Sequence, residues 1–219
     1  MRSNKFFAII IIIFIAYSLI ACNNPSTSKP GPAEDTLDKI SDTASNNPPQ
    51  NYKQVYRSTD ISPMDMIYYP IDYPKLKMAN AIKTGPSARI IYSRPHLQGR
   101  QLFKDILRYG EMWRLGANEA TELAIYKPVT IENRQINPGR YTLYCIPDSL
   151  SWTIILNNNA DIWGLRPDST KDIARFTATV KPSAYKLEYF TMQFEDTDTG
   201  TDLVMAWENT EARLPIKFK

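Results

Sequence analysis

The sequence is poor in the residue types that most often build metal and catalytic centres, because its 219 residues include only one histidine and two cysteines. A single histidine, His96, excludes a histidine-rich zinc site and the HExxH helix of metalloproteases. Two cysteines cannot form a framework of several disulfides or a cysteine-based metal site. The chain also has no G-x-S-x-G nucleophile elbow and no glycine loop that could cradle phosphate. We therefore expect neither a metal nor a cofactor.

An excess of charge of one sign is also missing. The chain has 26 lysines and arginines against 23 aspartates and glutamates, with a formal net charge of +3. Two of the basic residues, Arg2 and Lys5, precede a long apolar stretch at the N-terminus and would be lost with a cleaved leader. A nearly neutral chain lacks the electrostatic footprint of a nucleic-acid-binding protein, so no nucleic-acid partner is expected.

The N-terminus has the layout of a secretory signal peptide. After Arg2 and Lys5, residues 6–16 are uninterruptedly apolar, and the sequence LIAC follows at residues 19–22. The apolar run reaches about 15 residues, fewer than the roughly 20 that a permanent membrane-spanning helix needs. We therefore predict a cleaved signal peptide over residues 1–21. The alternative is an ordinary signal peptide that is cut elsewhere, with a coincidental cysteine.

LIAC resembles the lipobox of bacterial lipoproteins, in which the cysteine thiol is linked to diacylglycerol and the chain is cut just before it. The resemblance implies that Cys22 is the acylated N-terminus and that acyl chains such as palmitate hold the protein on a membrane. Asn23 is not acidic, which by the same resemblance implies an outer-membrane anchor with the domain facing the periplasm. Cys145 then has no partner in the chain and is expected to be a small buried hydrophobe.

The composition changes near residue 55. Residues 22–55 consist largely of Asn, Pro, Ser, Thr, Lys and Asp, and bury too little apolar surface to offset the entropy of ordering. We predict that they form a flexible tether. Residues 56–219 are richer in aromatic and apolar side chains and are predicted to form one domain.

From Pro86 onward, short segments in which apolar and polar residues alternate follow one another between turn signals. This period of two is typical of an antiparallel sheet with one buried face. The predicted strands are residues 89–93, 122–127, 141–146, 152–157, 175–181, 189–195, 202–208 and 213–219. Only residues 102–107 and 169–173 are helix candidates. The fold class is therefore a mostly β, single antiparallel sandwich or barrel-like domain.

Two prolines predict details of how the strands are connected and ordered. Pro138, followed by Gly139, is typical of a turn and predicts a hairpin that links residues 129–136 to the strand starting at Tyr141. Pro215 cannot donate a backbone hydrogen bond to a neighbouring strand, so its strand is predicted to lie at an edge of the sheet.

Arginine and aromatic residues are densest between residues 92 and 121, in the motifs YSRPH, GR and WRLGANEAT. The planar fork of arginine suits carboxylate or phosphate, and aromatic faces stack on apolar parts of ligands. The predicted ligand-binding residues are Arg94, Arg100, Arg114, Asn118 and Glu119, with Tyr92, Trp113 and Trp163 in a second tier. The alternative is structural: Arg94 or Arg114 pairs with Glu119 and bonds loop carbonyls.

These motifs resemble the DUF2911 family of bacterial envelope proteins. The resemblance spans about residues 61–219 and also includes SPMDM at 62–66, YYP at 68–70, PGRYT at 138–142 and WG at 163–164. It implies an exported β domain. It implies no activity, because the family itself is uncharacterised.

Three functions remain open. The leading hypothesis is a membrane-tethered, non-catalytic module that binds a small anionic or sugar-like ligand. The second is a carboxylate-dependent hydrolase of an envelope glycan, with Glu119 as the acid or base and Asp105, Glu111 or Asp161 as its partner. The third is a structural partner in an envelope complex. His96, after Pro95 in a loop, is expected to be solvated.

Overall fold

The computed structural model describes residues 61–218, and these build one sheet of nine antiparallel strands. The predicted signal peptide, Cys22 and the predicted tether lie outside the described residues. The strands are β1 (Met64–Tyr69), β2 (Ala88–Ser93), β3 (Glu122–Ile125), β4 (Val129–Ile131), β5 (Arg134–Ile136), β6 (Gly139–Pro147), β7 (Ser151–Asn157), β8 (Asp172–Thr197) and β9 (Gly200–Phe218).

Helical structure is short throughout the described part of the chain. It consists of α1 (Tyr73–Met78), a single π-helical turn (Leu102–Ile106) and a 3-10 turn (Ser169–Lys171). None of the helices in residues 61–218 is long and apolar enough to cross a membrane. The prediction of a mostly β fold is confirmed, and both helix candidates are single turns. The sequence reading did not include β1 or α1.

The strands follow the order β1-β2-β3-β6-β7-β8-β9-β4-β5, and the sheet is not closed into a barrel. β8 and β9 each contain two of the predicted strands joined end to end. The pairing of β8 with β9 shifts register between Pro182 and Thr191. Beyond this irregularity, β8 lies against β2, since the Tyr92 hydroxyl contacts the backbone of Met192. The sheet thus folds over on itself.

The core lies between the two halves of this folded sheet. Trp113 packs edge-on against Trp152 and Phe190 and stacks on Trp207, with ring centroids 4.9 to 6.2 Å apart. Burial of each such ring stabilises the fold by roughly 2–3 kcal/mol. Cys145 is fully buried, as predicted, and burial raises the pKa of its thiol well above the ordinary value. Its thiol therefore stays protonated.

The predicted hairpin at Pro138 is wrong. β5 pairs with β4 across a two-residue turn at Glu132 and Asn133, both with positive φ, a geometry that asparagine tolerates. β6 pairs instead with β3 and β7. The segment at Pro138 therefore carries the chain from the edge of the sheet to its interior.

The prediction that Pro215 marks an edge strand is also wrong, because β9 lies between β8 and β4. The reason is the register of the two pairings. On the β8 side the paired residues reach Arg213, and on the β4 side they begin at Ile216. Pro215 falls between them, where neither neighbouring strand requires its N–H.

Candidate ligand-binding clefts

Arg94 acts as a structural tie at the end of β2. Its guanidinium forms an ion pair with Asp65 of β1, at 3.1 Å, and donates to the Phe190 carbonyl and the Thr191 hydroxyl of β8. Glu119, the partner considered from the sequence, is not the residue that Arg94 meets. The three contacts tie the end of β2 to β1 and to β8.

Tyr92 and Asn118 also make internal contacts. The buried Tyr92 hydroxyl accepts from the Met192 N–H at 2.9 Å, and burial raises the pKa of Tyr92 to about 12. The Asn118 side-chain amide donates to the Ser62 carbonyl at 3.4 Å. Tyr92 therefore presents no surface to a ligand.

The sequence predicts a solvated His96, but the ring is packed against another side chain. The imidazole stacks on Tyr189 with centroids 5.0 Å apart and planes 9° apart. Its Nε2 atom is buried and has no hydrogen-bond partner within the described part of the chain. The ring therefore belongs to the contact between β8 and the segment that follows β2.

Three of the residues predicted to bind a ligand, Arg100, Arg114 and Trp113, lie close together. They line one cleft of about 380 Å³, which we call the arginine cleft. The other side chains that shape it include Ile106, Leu107, Met112, Leu165, Pro167 and Trp207. The loop between β2 and β3, the loop between β7 and β8, and β9 all contribute to its walls.

Arg100 is held at this cleft by backbone carbonyls. Its Nε donates to the Leu97 carbonyl and its Nη2 to the His96 carbonyl, both at 2.9 Å. These acceptors are neutral, and Arg100 forms no ion pair with any of residues 61–218. The hydrogen bonds orient the guanidinium and leave its charge without a counter-charge.

Arg114 is in a similar position. Its Nη1 donates to the Trp163 carbonyl at 3.3 Å, and its guanidinium lies 5.6 Å from the centroid of the Trp163 ring. Burial lowers the pKa of Arg114, while the nearby charge of Glu119 opposes this effect without forming an ion pair. The arginine cleft thus contains two guanidinium groups that no carboxylate in the described chain neutralises at contact distance.

Glu119 faces a different cleft of about 420 Å³, which we call the carboxylate cleft. Its charged lining residues are Arg89, Glu119, Glu122, Arg140 and Asp161. Arg140 pairs with Glu122 and, through both its terminal nitrogens, with Asp161 at 2.5 and 2.9 Å. The hydrogen bonds to Arg140 lower the pKa of Asp161, and those to Glu122 and Asp161 raise the pKa of Arg140. The charges here largely neutralise one another.

The hydrolase hypothesis depends on a second carboxylate beside Glu119. Asp105 bonds the Gln101 N–H and Glu111 pairs with Arg108, whereas Asp161 does line the same cleft as Glu119. A general acid needs a raised pKa, however, and the pKa of Asp161 is lowered. The pairing of Asp161 with Arg140 therefore suits structure better than acid catalysis.

A close contact between two loops separates the two clefts. The Ala120 N–H donates to the Ile162 carbonyl at 3.1 Å. Gly164 has φ +81°, and a Cβ atom there would lie 2.6 Å from the Cβ of Ala120. Only glycine fits this position. The sequence reading noted Gly164 as part of a motif but missed its role, together with those of Leu165, Arg140 and Trp207.

Comparison with known families matches residues 74–216 to DUF2911, described as a protein of unknown function. No curated protein and no solved structure matches the chain. The family match covers well over half of the sequence and runs from α1 to β9. The chain therefore belongs to the DUF2911 family.

Proposed function

We propose that the protein is a membrane-anchored bacterial lipoprotein of the cell envelope whose β domain binds a small anionic ligand in the arginine cleft without transforming it. The observation that carries the proposal is the pair of guanidinium groups, Arg100 and Arg114, that line this cleft without a carboxylate partner among residues 61–218. Structural arginines are normally paired, as Arg94 and Arg140 are here.

Of the two arginines, Arg114 has more to gain from a bound anion, because it is partly buried and Arg100 is exposed. Its partial burial disfavours the charged form, as the lowered pKa indicates. An anion in the cleft would offset this cost, and a charge-assisted hydrogen bond from a guanidinium contributes about 1.5–3 kcal/mol. Trp113, which also lines the cleft and is partly exposed, adds apolar surface for the rest of the ligand.

A binding role without catalysis is supported by the residues that surround the cleft. No aspartate, glutamate, histidine or cysteine among the described residues lines it. Acid–base or nucleophilic catalysis there would lack a proton acceptor within reach. The neighbouring carboxylate cleft has acidic groups, but Arg140 pairs with two of them.

A thermal-shift screen tests the ligand proposal. The mature chain with Cys22→Ser is heated with phosphate, acidic sugars, anionic peptidoglycan fragments and neutral sugars. At ten times its Kd, a true ligand raises the Tm by about 3–6 °C. We expect Arg114→Gln to weaken binding about tenfold. Arg134→Gln, on the exposed strand β5 and in neither cleft, is the matched control. Equal shifts for both variants, or no shift with any anion, would contradict the proposal.

The anchor needs its own test, because Cys22 lies outside the described residues. Metabolic labelling with palmitate is expected to label the wild-type protein and Cys145→Ser, but not Cys22→Ser. The buried Cys145 makes this comparison specific for the N-terminal cysteine. Labelling of the Cys22→Ser protein would contradict the lipoprotein assignment. Fractionation of the envelope would then show whether the anchor is in the outer membrane.

A further inference from the structure

We infer that the ligand of the arginine cleft is an anionic amphiphile, in which a carboxylate or phosphate head group carries a chain of apolar carbon. This inference rests on the proposed function and adds the chemical class of the ligand. It comes from the way polar and apolar atoms are distributed inside the cleft and at its mouth.

The aromatic side chains that line the cleft offer few hydrogen bonds, and only Trp113 of the two tryptophans is partly exposed, because Trp207 is fully buried. Trp113 and Trp207 both line the cleft, and their rings stack with centroids 5.8 Å apart. The Trp113 indole N–H already donates to the Gly116 carbonyl at 2.9 Å, and the Trp207 indole N–H donates to the Glu188 carbonyl at 3.1 Å. Neither indole has a donor left for a ligand.

Apart from Ser62, the remaining side chains that line the cleft are apolar and favour an apolar occupant. Ile106, Leu107 and Pro167 add only carbon surface to the walls. A sugar presents many hydroxyl groups, and each hydroxyl buried here without a partner would cost binding free energy. A hydrocarbon chain incurs no such cost. The two arginines are therefore suited to hold one anionic group, while the rest of the cleft is suited to hold carbon.

Apolar surface continues from the interior to the mouth of the cleft. Leu165 is 70% exposed and Met112 is 38% exposed, and both line the cleft. Trp163, 52% exposed, lies two residues before Leu165 and packs on Arg114. Single exposed apolar residues are common, but two that line one opening, with Trp163 beside them on Arg114, form a path along which a chain could lie.

The mouth is also held in place. Gly164 precedes Leu165 and contacts Ala120 so closely that no side chain fits between them. The Trp163 carbonyl accepts from Arg114 at 3.3 Å. The exposed leucine therefore sits on a loop attached to the segment that carries the arginine. A head group at Arg114 and a chain against Leu165 can be contacted at the same time.

A chain-length series tests the inference with the mature Cys22→Ser protein. Acetate, hexanoate, octanoate and decanoate are titrated by calorimetry below their micellar concentrations, beside decanol and decyl phosphate. We expect the affinity to rise about fourfold for each buried methylene group. We expect decanol to bind at least tenfold more weakly than decanoate, because it lacks the charge. Decyl phosphate is expected to bind at least as tightly as decanoate.

Two matched variants separate the head group from the chain. Arg114→Gln is expected to weaken decanoate binding about tenfold and to leave decanol unchanged. Leu165→Ser is expected to reduce the gain from each added methylene group beyond hexanoate and to leave acetate unchanged. Leu150→Ser, equally exposed but outside the cleft, is the control for loss of a surface leucine. Identical chain-length series for Leu165→Ser and Leu150→Ser would overturn the path at the mouth.

The outcomes separate this inference from the proposed function. Binding of acetate or phosphate without any gain from the chain would overturn the amphiphile and leave the anion site standing. Binding of none of these compounds, or equal binding of decanol and decanoate, would overturn both. Vesicles of phosphatidylglycerol and of phosphatidylcholine show where the amphiphile comes from. Displacement of decanoate by the anionic phosphatidylglycerol vesicles alone indicates a membrane lipid. Failure of both vesicles to displace it indicates a free amphiphile.

Discussion

The arginine cleft and the carboxylate cleft adjoin at the contact between Gly164, which lines the first, and Ala120, which lines the second. They differ in the partners of their arginines. In the carboxylate cleft, Arg140 is paired with Glu122 and Asp161. In the arginine cleft, Arg114 has a tryptophan ring and a backbone carbonyl as its contacts. Arginine is equally prominent in both, so its presence alone does not mark a binding site.

The difference lies in where the counter-charge comes from. A paired arginine is already satisfied, and a ligand anion would have to compete with the carboxylates that hold it. An arginine without such a partner keeps its affinity for an external anion. The carboxylate cleft has three carboxylates against two arginines, so it has no excess of positive charge to attract an anion. Three substitutions test this difference between the two clefts.

The largest effect is expected from Gly164→Ala, which acts on the wall shared by both clefts. The new Cβ would lie 2.6 Å from Ala120, at a backbone φ of +81°. We expect a loss of about 2–4 kcal/mol in the free energy of unfolding, measured by chemical denaturation. Gly110→Ala is the control, because its φ is +79° but nothing lies within 4 Å. It is expected to cost about 1 kcal/mol. Equal costs would show that the two loops separate freely.

A smaller effect is expected from Arg140→Gln, and it depends on pH. Hydrogen bonds from Arg140 lower the pKa of Asp161 below its ordinary value of 3.8. The stabilisation is therefore present above pH 3.8 and is lost as the pH falls through the lower pKa of the folded protein. The wild-type protein should have the higher Tm at neutral pH, and the gap should narrow below pH 3.8.

Two controls accompany this measurement. High salt is expected to narrow the same gap at neutral pH, because Arg140 and Asp161 are exposed to solvent. Arg114→Gln breaks no ion pair and is expected to show no comparable dependence on acid pH. A gap that stays constant from pH 7 to pH 2 would contradict the assignment of Asp161 to this network.

The smallest effect is expected from Glu119→Gln. Glu119 lines the carboxylate cleft but acts on Arg114 through its charge. Its removal is expected to raise the affinity of the arginine cleft for an anion about twofold, with no change in Tm. Titration of the same anion into both proteins measures this. Hydrolysis of an envelope glycan by the wild-type protein and its loss in Glu119→Gln would instead favour the hydrolase.

Much of the sheet could be predicted because the alternation of apolar and polar residues is a local property. The strand at residues 152–157 is an example, since Trp152, Ile154 and Leu156 all point into the core. β1 and α1 were missed because both are short and neither buries a complete face. The order of strands was also beyond prediction, as the incorrect hairpin at Pro138 shows.

The site was only partly predictable for a related reason. The motif with Trp113 and Arg114, together with Arg100, could be selected by residue type, and the fold brings these residues to one cleft. Leu165 and Trp207 could not be selected, because an apolar residue in a loop or strand has no local sign of the cleft that it lines. Arg94 had the same signal as Arg114 and turned out to be a structural tie.

The sequence by itself therefore determined the class of fold, the burial of Cys145 and the segment in which a site should be sought. These follow from composition, short-range periodicity and motifs. Only the tertiary structure decided which arginines are paired. Asp65 lies 29 residues from Arg94, and Asp161 lies 21 residues from Arg140, so both pairs form only when the folded sheet brings distant strands and loops together. Charge pairing is a property of distance in space, and the chain reveals it only after it has folded.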